Sequence, residues 1–186
     1  MDRFMVHLKN LGYVPSDAKA LLAKADQLTS EMDVVVRDMR VSTQYLEFDV
    51  SVKKEELDVV VKKFESIGLL YDARPVVEER IEKENALKKA KQYFNDERYW
   101  ECHEVLEGVW KKTHEGEKDL VQGIILVAAA LVHYQKYEND ICLSILNRAM
   151  EKFSNASGIY YGIDVNKFQE TVGLMISSKS LKPFMI

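Results

Sequence analysis

The chain changes character within Leu69–Phe94, LLYDARPVVEERIEKENALKKAKQYF. Its first residues read as a short strand that Pro75 ends, because proline has no N–H to give a sheet. Beyond Val77 the pattern becomes helical: Ala86, Leu87, Ala90, Tyr93 and Phe94 fall on one side of a charged segment. The boundary divides the chain into an α+β module over residues 1–76 and an all-α helical bundle over residues 77–186.

Upstream, Arg3–Asn10 (RFMVHLKN) alternates apolar and polar residues as a strand does. VPSDAKALLAKADQL begins with a helix-start signal at Pro15 and Ser16, followed by apolar residues at helical spacing. MDVVVRDMRVST and QYLEFDVSV are rich in Val, Thr, Tyr and Phe. In the second, Tyr45, Glu47 and Asp49 alternate with Leu46, Phe48 and Val50, and the STQ between the two segments suits a hairpin. KKEELDVVVKKFESIG reads as a helix with acidic residues near its start and Gly68 as its stop. The order β-α-β-β-α-β is the ferredoxin-like pattern, which hosts many functions and identifies none.

Downstream, the charged helix is followed by YWECHEVLEGVWKKTHEG, ending near Gly116, and by KDLVQGIILVAAALVHYQKY, apolar nearly all round and therefore central. DICLSILNRAMEKFSNA is the fourth helix and SGIYYGI a loop. Asp164 caps a last helix, VNKFQETVGLMISS. No strand signal follows Pro75. The bundle thus has about five helices with short connections.

Bulk properties narrow the function classes. The 186 residues are 47% hydrophobic and 30% charged with a net charge of -4, an ordinary globular composition. The two charge signs are interspersed, so no nucleic acid is expected as a partner. Two cysteines, Cys102 and Cys142, with no signal segment, fit a reducing cytoplasmic setting. The longest apolar run, Gly123–Val132, is too short to span a membrane.

The chemistry-bearing residues gather on two helices. Each residue advances about 100° around a helix, so Trp100, His103, Glu104, Glu107, Trp110 and Lys111 share one side, read here as inward-facing. On the next helix Gln122, Ile125, Leu126, Ala129 and His133 do the same. With a turn at Gly116 the two helices become antiparallel neighbours, a geometry that permits His103, Glu107 and His133 to converge. Glu104 and Gln122 then edge a pocket walled by Trp100 and Trp110, the indole N–H of one meeting a carboxylate. Three chemistries use such a cluster. His103 and Glu107, four apart, suit a divalent zinc, manganese or iron ion completed by His133 or water. A carboxylate beside an imidazole also suits acid–base work. A hydrogen-bonded network that fixes helix packing is the third. HEVLE is not a zinc-protease helix, because Glu107 stands where the second histidine belongs. Cys102 points away from His103 and Glu107, while His7 and His114 carry no pattern of their own.

At these residues the sequence resembles a known family. FNDERYWECHEVLEGVWKK, then LVQGIILVAAALVHYQK and ILNRAMEKF, resemble the small all-α domain known as domain-of-unknown-function family 309, over roughly residues 86–153. The hallmark H-x-x-x-E-x-x-W/Y is met by His103, Glu107 and Trp110, and Phe94, Asn95, Gln122 and Gly123 also match. One departure lies in the short turn before this helix, where such proteins often carry glycine and this chain has Asp96-Glu97-Arg98. The resemblance implies a helical bundle and a metal-binding His/Glu motif, and no established activity.

Two functions follow as expectations. One is a metal-binding helical domain, with a metal-dependent hydrolase as its catalytic form. The other is a scaffold for a protein or small-molecule partner, its His/Glu cluster structural and its N-terminal module a docking or homo-oligomer surface. The helical hairpins, with Tyr99, Ala128–Ala130 and RAMEKF, suit the latter through their likeness to tetratricopeptide-type pairs.

Overall fold

The computed structural model describes residues 1–77 and 81–186. The chain forms two compact units, residues 1–78 with 135–137 and residues 79–134 with 138–186.

In the first unit, β1 (Asp2–Lys9), α1 (Ala18–Leu28), β2 (Val35–Val41), β3 (Tyr45–Val52), α2 (Leu57–Phe64) and β4 (Leu70–Pro75) follow in that order. The four strands form one antiparallel sheet ordered β2-β3-β1-β4. Strand periodicity decides which residues meet the helices. Phe4, Val6 and Leu8 stand opposite Val50, Phe48 and Leu46, and all six are buried with Leu21, Ala25, Val60 and Phe64. Each such side chain contributes about 1.5–3 kcal/mol on leaving water. Phe48 and Phe64 pack with ring centroids 4.9 Å apart. Gly68 follows α2 where a Cβ would come within 2.9 Å of the Lys9 carbonyl oxygen, so no larger residue fits without moving backbone. Pro75 lies on the outermost strand. The Val76 N–H donates to the Arg3 carbonyl at 2.8 Å, which turns the neighbouring position 75 away from β1. The residue without an N–H thus faces outward, as edge strands that resist further pairing often arrange.

The second unit contains α3 (Lys83–Asn95), α4 (Tyr99–Trp110), α5 (Glu115–Tyr134), α6 (Asn139–Lys152) and α7 (Val165–Ser178). The helix expected from Val77 begins only at Lys83, since Val77, Ile81 and Glu82 are non-helical and positions 78–80 lie outside the described residues. The buried face of this helix starts at Ala86 and Leu87, and Ile81 packs against the same core from the non-helical residues before it. Gly116 does not end α4. It sits in the first turn of α5, and the connection is Lys111–His114. SGIYYGI is not wholly loop either, because Ile159–Tyr160 pairs with Ile163–Asp164 around Gly162, whose φ of +79° suits glycine. Asp164 caps α7 as read, accepting from the Lys167 N–H at 3.1 Å.

The core of this unit runs from Leu87 and Phe94 through Tyr99, Leu106, Val121 and Leu146 to Phe168. Gly123 sets the approach of α5 to α6, since a Cβ there would lie 2.6 Å from the buried Phe153 ring. The Asp96-Glu97-Arg98 turn puts Glu97 at φ 58°, a left-handed conformation that glycine adopts without cost. No helix among the described residues is long and apolar enough to cross a membrane.

Candidate functional site

Arg98 precedes α4 and pairs with Glu101 one turn on, its Nη2 donating to Oε1 at 2.7 Å. From this fixed start the helix turns Tyr99, Cys102, Leu106 and Val109 into the core. That corrects the expected inward face. His103 lies on the flank with its side chain 25% exposed, and Glu104 and Glu107 are each 48% exposed. The reason is chemical: given a helix with Tyr, Cys, Leu and Val on one side, burial selects that side.

The three residues nevertheless form one arrangement. His103 stands between two carboxylates, with Nδ1 3.4 Å from Glu104 Oε1 and Nε2 3.5 Å from Glu107 Oε1. The second separation is long for a hydrogen bond. Trp110 is half-buried at the C-terminal end of α4, and Lys118 Nζ lies 4.5 Å from its ring centroid, a cation–π contact. The expected indole–carboxylate bond is absent at Trp110, whose Nε1 has no hydrogen-bond partner among the described residues. Trp100 is half-buried in the first turn of the same helix.

The residues expected from α5 are placed differently. His133 is in its last turn, and Nδ1 lies 2.5 Å from Glu138 Oε2, the residue preceding α6. The imidazole there ties the α5–α6 connection and sits at a helix end where a histidine is favourable. His103, Glu107 and His133 do not form a group whose ligand atoms all lie within 4.8 Å of one another. Gln122 is half-buried, and no hydrogen bond joins it to Glu104 or Glu107 among the described residues. Cys102 and Cys142 are buried free thiols. Burial pushes the Cys102 thiol far up and that of Cys142 up to about 12, which makes both poor nucleophiles.

A second histidine–carboxylate cluster lies in the sheet unit and was not read from the sequence. On the face opposite α1 and α2, His7 Nε2 donates to Glu47 Oε2 at 2.8 Å, and Arg40 Nε donates to the other carboxylate oxygen. Arg40 Nη1 reaches Asp38 at 3.1 Å, and Arg3 grips Asp49 through Nε at 2.9 Å and Nη2 at 2.5 Å. Burial by itself would raise the Glu47 carboxyl, yet Arg40 and His7 together hold it down, from 4.5 to about 2. The available signal was the alternation that set Glu47 and Asp49 apart from Leu46 and Phe48. What the sequence lacked was the register placing His7 directly opposite Glu47.

Residues 87–145 match the family described as a domain of unknown function (DUF309). The matched segment runs from α3 into α6, lies inside the stretch whose resemblance was read from the sequence, and contains His103, Glu107, Trp110, Gln122 and Gly123. No curated protein matches the chain.

Proposed function

We propose that the helical unit binds a divalent metal ion on the surface of α4 through His103 and Glu107. The observation that carries this is the 3.5 Å between His103 Nε2 and Glu107 Oε1. Two ligands each ~2.1 Å from a tetrahedral ion stand about 3.4 Å apart, so this spacing fits an ion's edge better than a hydrogen bond. Glu104 supports the same reading. It stands 3.4 Å from Nδ1 on the other side of the ring and brings a second carboxylate to the site. The donor set, one imidazole and one or two carboxylates, suits zinc, manganese or iron and leaves positions for water. An ion held there would act as a Lewis acid and lower the pKa of bound water, the chemistry of metal-dependent hydrolases. The alternative, a structural hydrogen-bond network, draws less support, because carboxylates 48% exposed exchange freely with water and fix little packing.

The sheet unit, whose element order fits the ferredoxin-like pattern, is read as an appended binding module. A soluble small molecule or another protein is the proposed partner of the whole.

Protein purified without an affinity tag is expected to retain or take up zinc, manganese or iron near one equivalent by elemental analysis, with a rise in melting temperature. Glu107→Gln and His103→Ala abolish both effects. Absence of bound metal, together with no thermal shift for any of the three ions, would sink the proposal.

A further inference from the structure

The sheet has two edges, and they differ. Along β2 the Val41 N–H donates to the Gln135 carbonyl at 3.0 Å, so part of that edge is covered within its own unit. β4 is paired with β1 on one side and ends the sheet on the other. Its regular register runs from Pro75 to Asp72, opposite Phe4 to His7, and breaks at Tyr71. Position 75 turns outward because Val76 bonds to Arg3, and alternation turns Ala73 outward with it. The outer edge thus presents the N–H and carbonyl of Ala73, then the carbonyl alone of Pro75. Leu69, Leu70 and Tyr71 are exposed at the start of this strip, and Pro75 and Val77 at its end.

This edge is complementary to itself. With two copies antiparallel and Ala73 on the two-fold axis, each Ala73 N–H meets the partner's Ala73 carbonyl. Asp72 then stands directly opposite the partner's Arg74, and Arg74 opposite the partner's Asp72. Both are non-hydrogen-bonded pairs, the positions where side chains of neighbouring strands come closest. Asp72 and Arg74 share the sheet face of His7, where Arg74 Nε already reaches Asp72 Oδ2 at 2.7 Å. The exposed Leu69, Leu70 and Tyr71 run beside the partner's Pro75 and the partner's Val77. Moving the axis by one residue destroys the match, because a two-fold at 72 opposes two aspartates and one at 74 opposes two arginines. Pro75 sets the limit of the ladder, since pairing further along needs an N–H that proline lacks.

We infer that the chain forms a weak two-fold homodimer by joining β4 antiparallel to the same strand of a second copy about Ala73, so that one sheet runs through both. This commits the sheet unit to a partner of its own kind and is independent of the metal proposal.

Sedimentation velocity of the full-length chain in EDTA, over about 1 µM to 1 mM, reads the monomer–dimer equilibrium with no bridging ion. Wild type is expected to dimerise within that range. Asp72→Arg and Arg74→Asp each oppose like charges twice across the axis, and each is expected to weaken dimerisation at least about tenfold. Mixed in equal amounts, these two variants regain the dimer, because each carries the charge the other lacks. Ala73→Pro removes the central donor, leaves the bonds to β1 in place and abolishes the dimer. Circular dichroism of each variant is expected to match wild type, and where a charge variant loses its signal Ala73→Pro alone decides. Wild type monomeric at the highest concentration overturns the inference and leaves the edge to a strand of a different protein. A dimer that survives either charge variant or Ala73→Pro, or a mixture that stays monomeric, overturns it equally.

Discussion

The two units each carry a histidine facing a glutamate, and the pairs could hardly differ more. In the sheet unit His7 and Glu47 are 2.8 Å apart, 1% and 8% exposed, with Arg40 on the other carboxylate oxygen. On α4, His103 and Glu107 are 3.5 Å apart, 25% and 48% exposed, with a second carboxylate rather than a cation beside the ring. The buried pair is balanced inside the protein. The exposed pair has a second carboxylate beside the ring and a separation that a cation suits. On the proposed reading, identical residue types serve structure in one place and bind an ion in the other, with neighbouring charge and access to water deciding which.

The largest effect comes from breaking the buried cluster. Arg40→Ala leaves the Glu47 carboxylate buried without its main compensating charge and is expected to cost about 3–5 kcal/mol. Urea unfolding followed by circular dichroism should show the loss. Tryptophan fluorescence should show it less, since both tryptophans lie on α4 of the other unit. Coincident shifts in the two signals would mean that the units unfold together.

Acid acts on the same cluster to a smaller degree. Glu47 is depressed, so its contribution is complete above the unfolded value near 4.5 and drains away as pH falls toward about 2. The circular dichroism melting temperature should drop through that window in wild type. The drop attributable to this group should shrink in Glu47→Gln, and an unchanged acid profile in that variant would remove Glu47 from the account.

The smallest effect completes the contrast. Glu107→Gln without metal should shift stability by less than about 0.5 kcal/mol, as surface changes usually do. A loss above about 2 kcal/mol in urea titrations monitored by tryptophan fluorescence would show the α4 pair to be structural after all.

What could be read beforehand follows from the range of the forces involved. Alternation in QYLEFDVSV, helical spacing after Ala86 and the Asp164 cap are local signals, and the structure has these elements where those signals put them. The histidine assignments needed distances between elements. His7 gains its role only through the register of β1 with β3, and His133 turns to Glu138, five residues on, instead of across to α4. On α4 the two tryptophans, Trp100 and Trp110, mark the His103 side as the inward one, yet the helix buries Tyr99, Cys102, Leu106 and Val109 instead. Those four positions bury completely, and tryptophan rarely does.

Gly123 has a consequence for how this domain can change over time. Because the Phe153 ring occupies the space a Cβ would need, the two positions are not free to vary separately. A lineage acquiring alanine at 123 first would meet a clash. One that first trimmed 153 to leucine would open a void that alanine could then fill. The order of substitutions, as much as their identity, therefore limits which sequences can reach the same α5–α6 spacing.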